Sequence, residues 1–288
     1  MPLAHLINRT VLSVSGEDAG NFLGGLLTCA VDTAGPARYG ALLTPQGKII
    51  ADFFLIPTGD GKGGFFIDAQ KSVGEALLKR LSMYKLRAKV ALADLSAEFG
   101  AFARWGDDGS TPAQAFRDPR YSAMGERFIA PSASVGASDA ALASYDSHRI
   151  ALAIPEGGRD FAYGDAFPHE ACMDELNGVD FDKGCYVGQE VVSRTQHRGT
   201  ARTRVVALSF SGAAPLEGSD IRAGERRLGR VGSIDALGKC GIATVRLDHL
   251  GDAYAARQPL TCGEAEVFAH RPPWASYHFP EHAEQLGR

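Results

Sequence analysis

The chain has no apolar run near the roughly 18 residues that a membrane-spanning helix requires. Its opening, Met1-Pro2-Leu3-Ala4-His5, lacks the charged-then-apolar layout of a secretory signal. Cysteine is scarce: Cys29, Cys172, Cys185, Cys240 and Cys262 form an odd set without a Cys-x-x-Cys pair. That pattern excludes a self-contained structural zinc site or a ferredoxin-like cluster motif, and it suits a reducing compartment. Basic charge is not in excess either, with 30 Lys and Arg against 34 Asp and Glu and a formal net charge of −4. This argues against direct nucleic-acid binding by the whole surface, while leaving a local basic patch open. There is no Walker-type phosphate loop and no internal repeat. Gly59-Asp60-Gly61-Lys62-Gly63-Gly64 satisfies G-x-G-x-x-G in form only, because a strand follows where a dinucleotide site needs a helix. These absences lead to the expectation of a soluble cytoplasmic protein with no membrane partner.

What is present is a chain of 288 residues, 45% hydrophobic, long enough for two or three compact units. Ala19, Phe22, Leu23, Leu26 and Leu27 recur at helical spacing, and Val73, Ala76, Leu77 and Leu81 mark a second helix over 71–84. Strands are predicted over 10–15, 37–43, 48–56, 64–68, 88–94 and 98–105, with Thr44-Pro45-Gln46-Gly47 as a turn. Hairpin, helix, hairpin is the order of an antiparallel α+β unit. Residues 106–119 read as an exposed connection. Ser138 is placed as the cap of a helix reaching 147, and the alternation of Ile150, Leu152 and Ile154 predicts a strand over 148–154. Beyond 204, short strands between Gly and Pro turns indicate a small barrel or sandwich.

The densest chemistry lies in Lys183-Gly184-Cys185-Tyr186-Val187-Gly188-Gln189-Glu190, where a thiol, an amine, a phenol, an amide and a carboxylate precede a short amphipathic pattern. A helix N-terminus and a nearby lysine both favour a thiolate, so Cys185 reads as a reactive thiol. A buried, inert cysteine is the alternative reading. Downstream, Arg194, Arg198, Arg202 and Arg204 form a basic stretch that could hold the anionic tail of a ligand, a nucleic-acid backbone or only water.

The octapeptide resembles the signature of the YgfZ-type folate-binding proteins. These are relatives of the glycine-cleavage T-protein (aminomethyltransferase), and the group includes a mitochondrial iron–sulfur assembly factor. The resemblance extends through Ile154-Pro155-Glu156-Gly157-Gly158-Arg159-Asp160, Pro168-His169-Glu170 and Ser193-Arg194-Thr195-Gln196-His197-Arg198-Gly199. It continues more loosely through Pro45-Gln46-Gly47-Lys48 and Tyr84-Lys85-Leu86-Arg87-Ala88-Lys89-Val90. It implies an α+β fold with a T-protein-like three-lobed arrangement, antiparallel sheets and a small C-terminal β-barrel. The expected lobes are 1–47 with 120–203, a ferredoxin-like 48–119, and 204–275, followed by a tail over 276–288.

The resemblance also implies a cofactor, tetrahydrofolate or a one-carbon-substituted folate. Cys185 is then the essential thiol, and Lys183, Tyr186, Gln189, Glu190, Glu170 and Arg149 are the expected folate-site residues, with no metal ligands. Ala153 stands where most relatives have glycine, which puts the shape of the pocket in doubt. Two functions follow from the resemblance. One is a folate-binding accessory factor for assembly or repair of iron–sulfur enzymes, among them a tRNA-thiomethylating enzyme, with iron–sulfur carriers or clients as transient partners. The other is a folate-dependent aminomethyltransferase. A thiol favours the first, since aminomethyl transfer calls for positioning and an acid or base. Whether any reaction is catalysed stays open.

Overall fold

The computed structural model describes residues 2–106, 115–134 and 139–280. The first part of the chain runs β1 (Leu3–His5), β2 (Arg9–Ser15), α1 (Ala19–Gly24), β3 (Arg38–Leu43), β4 (Ile49–Pro57), β5 (Phe65–Gln70) and α2 (Lys71–Lys85). It continues through β6 (Ala91–Asp94), β7 (Phe99–Arg104), β8 (Phe116–Arg117), β9 (Glu126–Pro131) and α3 (Asp139–Ala151). After a long stretch of turns come α4 (Gln189–Arg198), β10 (Thr203–Ser211), β11 (Asp220–Ala223), β12 (Arg226–Ile234) and β13 (Cys240–Arg246). The last elements are α5 (Leu247–Ala255), β14 (Leu260–Cys262) and β15 (Ala265–His270). The proposed cap Ser138, and most of the connection expected over 106–119, lie outside the described residues.

The class is α+β, with antiparallel sheets and a C-terminal barrel. One sheet has the order β3-β4-β5-β2-β6, a second β1-β7-β9-β8, and the barrel closes as β10-β13-β12-β11-β14-β15. In the first sheet, β4 is buried on both faces, which is why its sequence is a nearly continuous apolar run rather than an alternation. Phe53, Leu55 and Ile67 face α1 and α2, while Phe54, Asp52 and Asp68 face the second sheet and the turns after α3. Because β2 pairs with β5 and β6, and β3 with β4, a single sheet spans both sides of the lobe boundary expected at 47/48. Pairing partners this far apart leave no trace in local periodicity.

The strand expected over 148–154 is instead the end of a helix. Ala153 N–H donates to the Ile150 carbonyl at 2.8 Å and Ile154 N–H to the Arg149 carbonyl at 3.1 Å, the paired bonds of a Schellman stop. Ala153 holds φ +53 at the position where such a stop favours glycine. The alternation of Ile150, Leu152 and Ile154 therefore reflects a helix that unwinds, with both isoleucines buried.

Asp68, 1% exposed, is clamped between Arg9 at 2.5 Å and Arg127 at 2.6 Å, joining β5 to β2 and to β9 of the second sheet. Burial by itself would raise the pKa of this carboxyl, but the two guanidinium groups together outweigh burial and lower it. The clamp therefore stabilises the fold above the ordinary Asp range near pH 4, and that contribution disappears as pH falls through the lower folded value. Asp68→Asn should cost about 3–5 kcal/mol, because it leaves two buried cations unpaired. The variant should also show a flatter decline of Tm on acidification, measured by thermal melts across the acid range. An unchanged Tm and acid profile would remove this clamp from the stability of the fold.

Candidate functional site

Cys185 sits on an exposed turn three residues before Gly188, the N-cap of α4. The turn is held at both ends. Asp180 Oδ1 accepts the backbone N–H groups of Asp182 at 2.9 Å and Lys183 at 3.1 Å, and Asp180 N–H donates to the Thr28 carbonyl. Lys183 Nζ donates to the carbonyls of Gly24 (2.9 Å), Leu27 (2.5 Å) and Cys29 (3.0 Å), at and just beyond the C-terminal end of α1. At the far end, Gly188 has φ +84, and a Cβ there would lie 2.6 Å from the Thr44 carbonyl. The 44–47 turn thus seats directly against the start of α4, and only glycine fits. Gly184, by contrast, has open space around it and no left-handed φ, so a side chain would fit there.

The other four thiols differ in kind. Burial pushes Cys29 up to about 11 and Cys172 up to about 12, and it also raises Cys262. Cys240, half-buried, is raised to about 11 by burial and by Asp235. Of the five, Cys185 is the exposed one.

The expected folate residues do not converge. Lys183 has all three ammonium protons committed to backbone carbonyls, so it anchors the turn rather than binding a ligand. Tyr186 is 7% exposed and packs in the core, with the Lys183 ammonium 5.2 Å from its ring; burial, then Asp180, pushes its phenol up to about 12. Gln189 opens α4 half-buried. Glu190 is exposed and pairs with Arg194 one turn on. Arg149, 1% exposed, is saturated by Asp160 (2.7 Å), Asp146 (2.7 Å), the Ile154 carbonyl (2.7 Å) and Ser233 Oγ (2.7 Å), so its role is structural. The downstream basic stretch is largely neutralised: besides Arg194, Arg202 lies 3.7 Å from Asp248 and the buried Arg204 lies 2.7 Å from Asp174.

Glu170, whose Oε2 accepts the Phe167 N–H, is the exception. It lines a cavity of about 280 Å³ between α4 and the barrel, with Phe167, His169 and Val191. It also lines one of about 490 Å³ beside β12, with Arg159 and Arg230.

Residues not singled out for this role build a different cleft. Asn8, Leu142, Tyr145, Asp146, Glu156 and Arg159 line about 260 Å³ beside α3. Asn8, Tyr145 and Glu156 also wall a tighter space of about 10 Å³, reached among Arg9, Asp52, Arg120 and Arg127. Glu156 Oε1 accepts from Gln70 and from Asn8 Nδ2, while Asn8 Oδ1 is buried without a donor. Arg127 Nε is likewise buried without an acceptor. Asp52 is closed off by hydroxyl hydrogen bonds from Tyr39 (2.9 Å) and Tyr163. Glu156 lies inside a stretch that resembles the family's approach to the signature, and that was the signal available for it.

Among the described residues, no three His, Cys, Asp or Glu side chains are grouped to hold a metal ion. None of the described helices is long and apolar enough to cross a membrane.

Three comparisons bear on this architecture. The family model "CAF17, C-terminal beta-barrel domain" matches residues 202–277. The mitochondrial iron–sulfur cluster assembly factor IBA57 homolog of Neurospora crassa is 37% identical over 241 residues, covering 74% of this chain and 55% of that one. The human mitochondrial iron–sulfur cluster assembly factor IBA57 is 34% identical over 240 residues, covering 74% of this chain and 67% of the human one. The chain thus spans little more than half the length of the Neurospora crassa relative and of the IBA57 homolog of Mycosarcoma maydis. In structure it resembles the glycine cleavage system aminomethyltransferase T from Bartonella henselae, with a TM-score of 0.70 and 16% identity over 97% of this chain and 87% of that one. That likeness establishes a T-protein-like fold. The mitochondrial naming of the sequence relatives overturns the cytoplasmic location expected above. That expectation rested on features the sequence lacks, and an absence does not assign a compartment.

In native protein, a thiol-alkylating reagent should modify Cys185 alone on a short time scale, with Cys29, Cys172 and Cys262 reacting only after denaturation. Peptide mapping of the labelled protein checks this; comparable native labelling of Cys29 or Cys172 would show that the burial pattern does not control reactivity.

Proposed function

Because the chain belongs to the family of IBA57 iron–sulfur cluster assembly factors, we propose that it serves the assembly or repair of iron–sulfur enzymes and that Cys185 is the thiol it contributes. The observation that carries this reading is a single exposed thiol on a turn fixed by Asp180, Lys183 and Gly188. Protein-bound clusters usually take about four ligands, so one cysteine makes a shared site in which a carrier or client supplies the rest. The cluster is cargo here, bound in transit. A rigid turn suits this role because ordering costs are met before the partner arrives. Client enzymes would include, by the family resemblance, a tRNA-thiomethylating enzyme.

The T-protein-like fold carries an implication of tetrahydrofolate, and the cleft at Asn8, Tyr145 and Glu156 fits it better than Glu170 does. A pterin presents adjacent N–H donors on a flat ring. The cleft offers the Glu156 carboxylate and the unsatisfied Asn8 Oδ1 as acceptors beside the apolar surfaces of Leu142 and Tyr145. Bound there, a folate would supply a one-carbon carrier or a sensor of folate status, while Glu156 and Asn8 orient its ring. The aminomethyltransferase alternative has less support. The space inward of the cleft is about 10 Å³, Asp52 is tied to two tyrosines, and Arg9 is tied to Asp68. That leaves no room for an amine substrate next to the ring.

Two measurements test the reading. In a reconstituted transfer of cluster from carrier to apo-enzyme, Cys185→Ser should abolish the stimulation by this protein while its melting temperature stays the same; full stimulation by the serine variant would sink the assignment. In calorimetric titration with tetrahydrofolate, Glu156→Gln should weaken binding by about tenfold or more, and Glu170→Gln should leave it unchanged. The reverse ranking would move the ring to the cavity beside α4.

A further inference from the structure

The charge of this protein is unevenly distributed. Between residues 71 and 90 the chain carries Lys71, Lys79, Arg80, Lys85, Arg87 and Lys89 against Glu75 alone, although the whole chain has a formal charge of −4. The structure gathers most of these cations at one corner. α2 packs Gly74, Leu77 and Leu81 inward, with Gly74 close enough to Thr10 that a Cβ would lie 2.5 Å from its methyl group. Lys79 and Arg80 lie four and three residues before Met83 on the exposed side of α2, and Leu86 and Arg87 follow directly beyond the end of the helix, also exposed. Lys79, Arg80 and Arg87 are exposed there, and they have no carboxylate partner among the described residues; nor has the half-buried Lys85. This contrasts with the arginines near α4, which carboxylates largely neutralise.

Two apolar side chains stand in the middle of these cations. Met83 is 63% exposed and Leu86 is 88% exposed. Leu86 also ends α2 at φ +44 and ψ −107, a conformation that an L-residue adopts only under strain. Basic side chains at a helix C-terminus are favourable in themselves and need no partner. A strained leucine turned almost wholly to water has no such local reason.

We propose that the α2 corner, centred on Met83 and Leu86 and ringed by Lys79, Arg80, Lys85 and Arg87, is a docking surface for an acidic protein. Apolar anchors set among arginines are the composition of a protein–protein contact centre, and unpaired like charges raise the approach rate of an oppositely charged partner. A lipid surface fits less well, because α2 has already spent its apolar face on the sheet and only two side chains are left to insert. A nucleic acid fits less well too: the segment exposes no aromatic ring for stacking, Tyr84 being half-buried, and leucine and methionine stand where phosphates would have to approach. The surface is built independently of Cys185 and does not depend on the cluster-transfer reading.

The test uses the full chain in cells. Benzoylphenylalanine is placed by Leu86→benzoylphenylalanine and, as a control at another exposed leucine, by Leu216→benzoylphenylalanine. Photo-crosslinks are mapped by mass spectrometry, and any captured protein is purified for direct affinity measurement. Position 86, and not position 216, should crosslink to a protein segment in which Asp and Glu outnumber Lys and Arg. The triple variant Lys79→Glu, Arg80→Glu, Arg87→Glu should weaken binding of that purified partner by about tenfold or more and reduce its salt dependence while still melting cooperatively, and the neutral variant Lys79→Gln, Arg80→Gln, Arg87→Gln should weaken it in the same direction by less. Crosslinks to lipid or nucleic acid, crosslinks to a basic or neutral segment, equal yields from both positions, or no crosslink would each overturn the proposal.

Discussion

Burying charge is costly unless the charge is closed by a partner, and this fold uses that cost to fix how its parts meet. Asp68 on β5 binds Arg9 on β2 and Arg127 on β9, and Arg127 reaches on to the Tyr145 hydroxyl of α3. A second joint is centred on Arg149. Its guanidinium binds Asp160 and Ser233 Oγ, while Asp160 accepts the Ser233 N–H at 2.6 Å, so α3, the turn region and the barrel share one buried network. Glycines mark where these surfaces close: a Cβ on Gly232 would lie 2.3 Å from Asp160, and one on Gly157 would lie 2.4 Å from Asp52. Apolar packing supplies most of the stability of each part, but it is non-directional. The ion pairs supply the direction.

The two candidate sites relate differently to those joints. The Asn8–Glu156 cleft lies between them, and its inner wall is made of the same arginines and carboxylates that hold the sheets together. A ligand there would touch the network that sets the relative positions of both sheets and the barrel. The Cys185 turn lies outside the network and is braced against α1 and the 44–47 turn. Division of this kind lets the thiol stay accessible while the cleft stays rigid. In a motif dense in functional-looking groups, Lys183, Tyr186 and Gly188 hold the turn still, and Cys185 is left exposed on it.

A net charge of −4 conceals the separation of charge over the surface. Arg194, Arg202 and Arg204 look like part of a patch in the sequence but are paired with Glu190, Asp248 and Asp174. Those at the end of α2 are not, and they surround two exposed apolar side chains. Whether a basic run becomes a field depends on carboxylates that arrive from elsewhere in the chain.

Local spacing was enough to place α1 and α2, most of the strands before residue 105 and four of the six barrel strands, β11 and β14 being missed, because each of those patterns records which side of an element meets apolar neighbours. It was also enough to single out Cys185, whose neighbours in sequence include the glycine that shapes its turn. It misled over 148–154, where a left-handed Ala153 closing a helix imitates the alternation of a strand. It could not give sheet order, since β2 finds β5 more than 50 positions away. Nor could it tell ligand groups from structural ones: Arg149 meets Ser233, Lys183 meets Leu27, and Glu156 meets Asn8 across separations of 84, 156 and 148 residues. A charged side chain acquires its role from whatever partner closes or leaves open its hydrogen bonds, and only the folded chain brings that partner within reach.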